Sequence, residues 1–177
     1  MKKIFSILVL VALLFATNTA FAGVKSKKRK ADKQTVAWNY EVVTVGKNAS
    51  GSYLLKIWSY SASTFVAEEQ AKKNAIHAIV FQGAPENKDK RIAHLKPLLQ
   101  DPTAEVTHAA FFEKFFSDSG EYRRFARMSN NGFADVIKYG KKDMKYKVGV
   151  VVLVETASLR KYLEQAGIIR TLNQGFN

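Results

Sequence analysis

The chain has 177 residues, of which 47% are hydrophobic, and its formal net charge is +13. It contains no cysteine, so disulfides, thiol catalysis and thiolate metal sites are excluded. This length is enough for one ordinary domain with its own packed core.

Residues 1–22 have the pattern of a secretory signal peptide. Lys2 and Lys3 precede an apolar run over 4–16, and the A-x-A sequence at 20–22 predicts cleavage after Ala22. A membrane anchor is the alternative, but the apolar run is shorter than the roughly 20 residues that a spanning helix needs. We therefore expect an exported protein, periplasmic or secreted, without a transmembrane span in the mature chain.

A basic segment over 23–34 follows, and we expect it to be a disordered arm. The signal segment contributes +2 to the formal charge and residues 23–33 contribute +5, which leaves +6 for residues 34–177. The arm has two interpretations, a solvated linker or a contact with an envelope protein or an anionic surface component. Export argues against a nucleic-acid partner. The candidate contact residues in the arm are Lys27, Lys28, Arg29 and Lys30.

The folded domain is predicted to span 35–170 and to open with a hairpin. Strands over 35–45 and 52–60 flank the glycine-rich turn 46–51. A single long helix over 64–83 then ends at Gly83. Alanines recur along it at helical spacing, which predicts one face packed closely on a sheet. These alanines are Ala67, Ala71, Ala75 and Ala78.

The middle of the domain is irregular and then strongly aromatic. Residues 84–103 predict a loop, with one or two helical turns within 92–99. A second helix is predicted over 105–116, and it carries four phenylalanines. Two interpretations stay open for these rings, a core beneath the sheet or an apolar pocket. The candidate pocket residues are Phe112, Phe115 and Phe116.

Arginines and aromatic residues alternate over 121–128, in a strand or a short helix. Arg123, Arg124 and Arg127 form either an anion-binding face or a solvated edge element. A turn over 129–132, strands over 133–139 and 146–155, a helix ending at Gly167 and a tail over 171–177 complete the chain.

These elements predict an α+β fold in one domain. We expect a two-layer sandwich with a mainly antiparallel sheet of four or five strands and helices packed on one face. Each half of the domain follows the order strand, glycine turn, strand and helix, which indicates a ββα pseudo-repeat.

The sequence contains no motif for catalysis or for cofactor binding. His77, His94 and His108 lack the close spacing of a metal-binding helix, and there is no nucleophile elbow, Walker loop or dinucleotide fingerprint. We therefore expect a protein without cofactors that is not an enzyme. A hydrolase with an unrecognised polar cluster is the remaining catalytic hypothesis.

A family resemblance covers about 53–83 and 146–168. It is carried by a strand pair followed by AEEQAKKNAIHAIVFQG over 67–83, and by YKVGVVVLVETASLRKYLEQAGI over 146–168. They resemble exported envelope proteins of Gram-negative bacteria and, more faintly, the N-terminal domain of flagellar assembly protein T and related small envelope lipoproteins. The resemblance implies an assembly or interaction module and no catalytic residues. The lipoprotein cysteine is absent, so lipid anchoring does not carry over. We expect a non-enzymatic binding or assembly module of the cell envelope. The alternative is a carrier of a small apolar ligand with a phenylalanine-lined pocket.

Overall fold

The computed structural model describes residues 38–61, 64–141 and 144–171. The predicted signal segment 1–22, the arm 23–34 and all but the first residue of the tail 171–177 lie outside the described residues. None of the helices in the described part is both long enough and apolar enough to cross a membrane.

The described residues form one antiparallel sheet of four strands in the order β1-β2-β4-β3. Along β2 every second residue, from Tyr53 to Ser61, is buried, and the residues between them are half-buried. This alternation means that one face of the sheet is covered, because successive side chains of a strand point to opposite faces. The strands are β1 (Tyr40–Lys47), β2 (Tyr53–Ser61), β3 (Ala126–Lys141) and β4 (Met144–Val154).

The helices confirm the predicted α+β class. Each hairpin is followed by a helix, which is the predicted ββα order. The helices are α1 (Thr64–His77), α2 (Ala104–Thr107), α3 (Ala109–Phe115) and α4 (Thr156–Gln165), with a π-helical turn (Ala78–Gln82) directly after α1 and a 3-10 turn (Glu121–Arg124) before β3.

The long first helix packs as its alanine pattern predicts. Ala67, Ala71, Ala75 and Ala78 are all fully buried, and α1 contacts β2 and β4. Small side chains on this face allow the helix to approach the sheet closely. The buried valines of β4, at every second position from Val148 to Val154, form the other side of this core.

Two predicted helical segments differ from the structure. Residues 92–99 form no helix; instead the chain doubles back through the bridges Ala84–Leu95 and Asn87–Ile92. The predicted helix over 105–116 is interrupted at His108, whose φ of −108° and ψ of 29° are not helical. The returning loop lies against β1, where the Asn87 side-chain amide donates to the Thr44 carbonyl.

The prediction of a turn over 129–132 is wrong, because these residues lie inside β3. Met128 pairs with Val152 and Phe133 pairs with Val150, so four residues of β3 stand opposite Val151 alone. The extra residues form an irregularity in an edge strand, where such insertions are tolerated. The local Asn-Asn-Gly sequence is typical of a turn, but tertiary pairing keeps the chain in the sheet.

Candidate functional site

A groove of about 470 Å³ opens between α3, α4 and the 3-10 turn. Its walls are aromatic, and its rim carries hydroxyl groups and charges. The lining residues are Phe111, Lys114, Phe115, Ser117, Ser119, Gly120, Glu121 and Tyr162.

Three aromatic rings form the apolar wall of this groove. Phe115 is 2% exposed and stacks on both Phe111 and Tyr162, with centroids 5.6 and 5.7 Å away. Phe111 and Tyr162 are half-buried, so each presents part of its ring to the groove. Partial burial raises the pKa of the Tyr162 phenol, which stays neutral at physiological pH. Because Phe111 and Tyr162 both pack on the buried Phe115 ring, together they form one apolar surface.

Only one of the predicted pocket residues lines this groove. Phe115 forms its buried floor, whereas Phe112 and Phe116 are 4% and 9% exposed and pack inside the aromatic core. The helical pattern grouped these three rings on one face. It missed Phe111, which lies on the outer side of α3, and Tyr162, which comes from the last helix.

The three predicted anion-binding arginines are paired with carboxylates of the same chain. Arg123 contacts Glu69 at 2.9 Å, Arg124 contacts Glu121 at 2.5 Å and Arg127 contacts Glu155 at 2.9 Å. The bonded Glu121 carboxylate raises the pKa of the Arg124 guanidinium. Their charges are therefore largely compensated locally. The candidate contact residues Lys27, Lys28, Arg29 and Lys30 lie outside the described residues.

Lys114 supplies the positive charge at the rim of the groove. Among the described residues it forms no salt bridge, in contrast to Glu121 on the opposite side, which is bound to Arg124. The groove therefore combines an apolar wall with one cation that a ligand can reach.

A second cluster surrounds His77, at the junction of α1 with the π-helical turn. The His77 side chain is 5% exposed, and its Nδ1 lies 2.5 Å from the Tyr40 hydroxyl. The Trp38 indole stacks on the imidazole, with centroids 3.7 Å apart and an interplanar angle of 20°. Trp38 Nε1 donates to Glu105 Oε1 at 2.9 Å. The local sequence around His77 gives no sign of these partners, which lie far away along the chain.

Burial keeps His77 and Tyr40 neutral. It lowers the pKa of His77 to about 3 and, together with the negative charge of Glu105, raises the pKa of Tyr40. Glu105 Oε1 lies 3.6 Å from His77 Nε2, beyond hydrogen-bonding distance, and water screens its 42% exposed side chain. An imidazole that resists protonation and a phenol that resists ionisation make a poor acid–base pair near neutral pH.

The remaining histidines do not create a metal site in the described part of the chain. No group of three or more histidine, aspartate or glutamate side chains there is close enough to hold a metal ion. His108 lies at the break between α2 and α3, and His94 lies in the exposed loop after Gly83.

No protein-family model, curated protein or solved structure matches the chain. The resemblance to envelope assembly modules stays a prediction. The geometry of the groove and the charge of the chain are therefore the observations on which a functional assignment depends.

Proposed function

We propose that the protein is an exported, non-enzymatic binding module that contacts another component of the cell envelope. The observation that supports this most directly is the groove, in which Phe111 and Tyr162 offer ring surface beside the free cation of Lys114. Grooves of a few hundred Å³ with apolar walls and a few polar groups are typical of ligand-binding sites.

The occupant that fits this groove is an apolar side chain on an acidic segment of a partner protein. Its aromatic wall is suited to a phenylalanine or leucine side chain, whose transfer out of water is favourable. Residues 34–177 carry a net charge of +6, and Lys114 stands at the rim. A partner with negative charge next to its apolar residue would be attracted over a distance and then oriented by Lys114.

Nuclear magnetic resonance titration of the protein without its signal segment tests this proposal. The probe is an acidic peptide with one central phenylalanine, and the matched peptide has alanine in its place. We expect the first peptide to shift the side-chain signals of Phe111, Phe115 and Tyr162 and the second to leave them nearly unchanged. Equal shifts with both peptides would show that the groove does not recognise an apolar side chain.

Two variants separate the groove from the rest of the surface. Phe111→Ser removes part of the apolar wall, and Lys114→Glu reverses the rim charge without touching the packed rings; both are expected to weaken peptide binding. Val106→Ser is the matched control, because Val106 is 80% exposed and lies on α2, outside the groove. A control that weakens binding as much as Lys114→Glu would contradict the proposed site.

A carrier of a small apolar ligand is the second candidate function, since the same aromatic groove could hold an acyl chain. Titration with dodecanoic acid below its micelle concentration distinguishes the two. Tight binding of the fatty acid, with no shift caused by the phenylalanine peptide, would favour the carrier.

Export and the basic arm are tested separately. We expect the protein recovered from the envelope fraction to begin at Gly23, and an intact Met1 in that fraction would contradict cleavage after Ala22. Deletion of 23–33 is expected to weaken binding to vesicles that contain phosphatidylglycerol if the arm contacts an anionic surface. Unchanged vesicle binding would assign the arm to a linker.

A further inference from the structure

We propose that a second pocket, formed by α4 and the loop that precedes α2, binds a small sugar acid or sugar phosphate. Arg160 and Arg170 would hold the carboxylate or phosphate group, and the loop would bind the sugar hydroxyls. We call this site the arginine pocket. It is independent of the proposed function, because it shares no lining residue with the aromatic groove.

The arginine pocket has a volume of about 490 Å³ and lies on a different side of α4 from the groove. Arg160 lines the pocket and Tyr162 lines the groove, and residues two positions apart project from nearly opposite sides of a helix. A volume of this size is in the range of small-molecule sites, so the pocket can accept a monosaccharide with one anionic group.

Backbone hydrogen bonds hold both walls of the arginine pocket in place. On the loop side, the Leu99 N–H donates to the Val80 carbonyl of the π-helical turn at 2.9 Å. On the helix side, the Ile168 N–H donates to the Leu163 carbonyl of α4 at 2.9 Å. Leu99 and Ile168 both line the pocket, so its walls are formed before a ligand enters.

Two arginines supply the positive charge of this pocket. Arg160 Nη1 lies 3.3 Å from Glu164 Oε1, and this single contact restrains the side chain while it leaves most of the five N–H groups available. Arg170 is exposed and, within the part of the chain that the structure describes, forms no salt bridge. A guanidinium presents paired N–H groups that match two oxygens of a carboxylate or a phosphate. An oxyanion is therefore the ligand group that fits this side of the pocket.

The loop wall offers hydrogen-bonding groups that suit hydroxyls. Asp101 Oδ1 accepts the Thr103 hydroxyl at 2.7 Å and the Thr103 N–H at 2.8 Å, and these bonds lower the pKa of Asp101. Asp101 Oδ2 has no hydrogen bond among the described residues, so it can accept one from a ligand hydroxyl. Gln100 and His108 line the pocket beside Asp101 and add donors and acceptors. A hydrocarbon chain would leave these groups unpaired, and the Asp101 charge disfavours a second anionic group on this wall.

Nuclear magnetic resonance titration of the full chain, which follows the arginine Nε–Hε signals, tests the arginine pocket. The probes are glucuronate and glucose 6-phosphate, and glucose is the matched neutral sugar. We expect the anions to shift the signals of Arg160 and Arg170 and to bind at least about tenfold more tightly than glucose. Arg170→Gln is expected to weaken their binding by a similar factor. Lys161→Gln removes one positive charge from an exposed position of α4 outside the pocket, and it is expected to leave binding nearly unchanged.

Four results would overturn this site. Arginine signals that respond to neither anion would exclude binding, and glucose that binds as tightly as the anions would show that the arginines do not select charge. Inorganic phosphate that binds as tightly as glucose 6-phosphate would show that the loop wall does not recognise a sugar. Equal losses in the Arg170→Gln and Lys161→Gln proteins would mean that the overall positive charge attracts the anion. The anion that binds more tightly identifies the ligand as a sugar acid or a sugar phosphate. The signals of Phe111 and Tyr162 report the groove separately, so failure of one site leaves the other testable.

Discussion

Replacement of Gly83 by alanine should be among the most destabilising single-methyl changes in this domain. Gly83 ends the π-helical turn with a φ of +81° and a ψ of −164°, a region of backbone space that is essentially restricted to glycine. A Cβ built at this position would lie 2.0 Å from the Leu95 carbonyl oxygen. That oxygen accepts the Ala84 N–H at 2.9 Å, and the Leu95 N–H donates back to the Ala84 carbonyl at 2.9 Å.

The cost has two parts. The backbone conformation costs an alanine about 1–3 kcal/mol. The 2.0 Å contact forces Leu95 away, which breaks the two hydrogen bonds of the Ala84–Leu95 bridge at about 1 kcal/mol each. Alanine also lowers the entropy of the unfolded chain relative to glycine, which stabilises the fold by about 0.4–1 kcal/mol. We therefore expect Gly83→Ala to lower the free energy of unfolding by about 3–4 kcal/mol.

Gly51→Ala is the matched control, because Gly51 has a φ of +80° but nothing within 4 Å of its added Cβ. It bears the conformational cost without the collision, so we expect it to be about 2 kcal/mol less destabilising than Gly83→Ala. Urea unfolding of the two variants, followed by circular dichroism with equal m-values, measures the difference. Equal midpoints would refute the idea that the close approach of the Leu95 loop makes Gly83 indispensable.

Three further predictions follow from burial and charge. Ala71→Leu should lower the free energy of unfolding by about 1–3 kcal/mol, because Ala71 is fully buried against the sheet. Ala110→Leu, at an exposed position, should change it by less than about 0.5 kcal/mol, and equal urea midpoints for the two variants would contradict this packing. The pKa of His77 is about 3 in the fold against an ordinary 6.5, so the neutral side chain contributes its full stability above pH 6.5, and that contribution declines by up to about 1.4 kcal/mol per pH unit below pH 6.5. His77→Gln should therefore flatten the pH dependence of the free energy of unfolding, and an unchanged pH dependence would contradict this. The hydrogen bond from Lys147 lowers the pKa of the exposed Glu41 below its ordinary 4.5, so their ion pair stabilises the fold above pH 4.5 and is lost in acid. Lys147→Met should lower the free energy of unfolding by less than about 1 kcal/mol at pH 7, and a larger loss would mean that water screens the pair less than its exposure indicates.

Elements set by local patterns were predicted well. The alanine spacing of α1 and the buried alternation of the strands follow directly from helical and extended geometry, and they fixed the class and the layers of the fold. Gly83 ends the first helical segment as predicted, although the last turn is π-helical. These features depend on residues that are close together along the chain.

Features that depend on distant contacts were missed. Trp38 and His77 are 39 positions apart, and no local pattern indicates that one stacks on the other. Tyr162 reaches the groove only because α4 packs beside α3, so helical spacing within α3 selected Phe112 instead of Phe111. The four residues that β3 places opposite Val151 likewise reflect pairing in the sheet, which outweighs their local turn propensity.

The most direct test of the proposed binding site is a measurement of intermolecular nuclear Overhauser effects between the labelled protein and the unlabelled phenylalanine peptide. The proposal predicts contacts from the peptide ring to Phe111 and Tyr162, with none to Trp58 on the opposite face of the sheet. Contacts to Trp58, or none to either groove ring at a saturating peptide concentration, would contradict it.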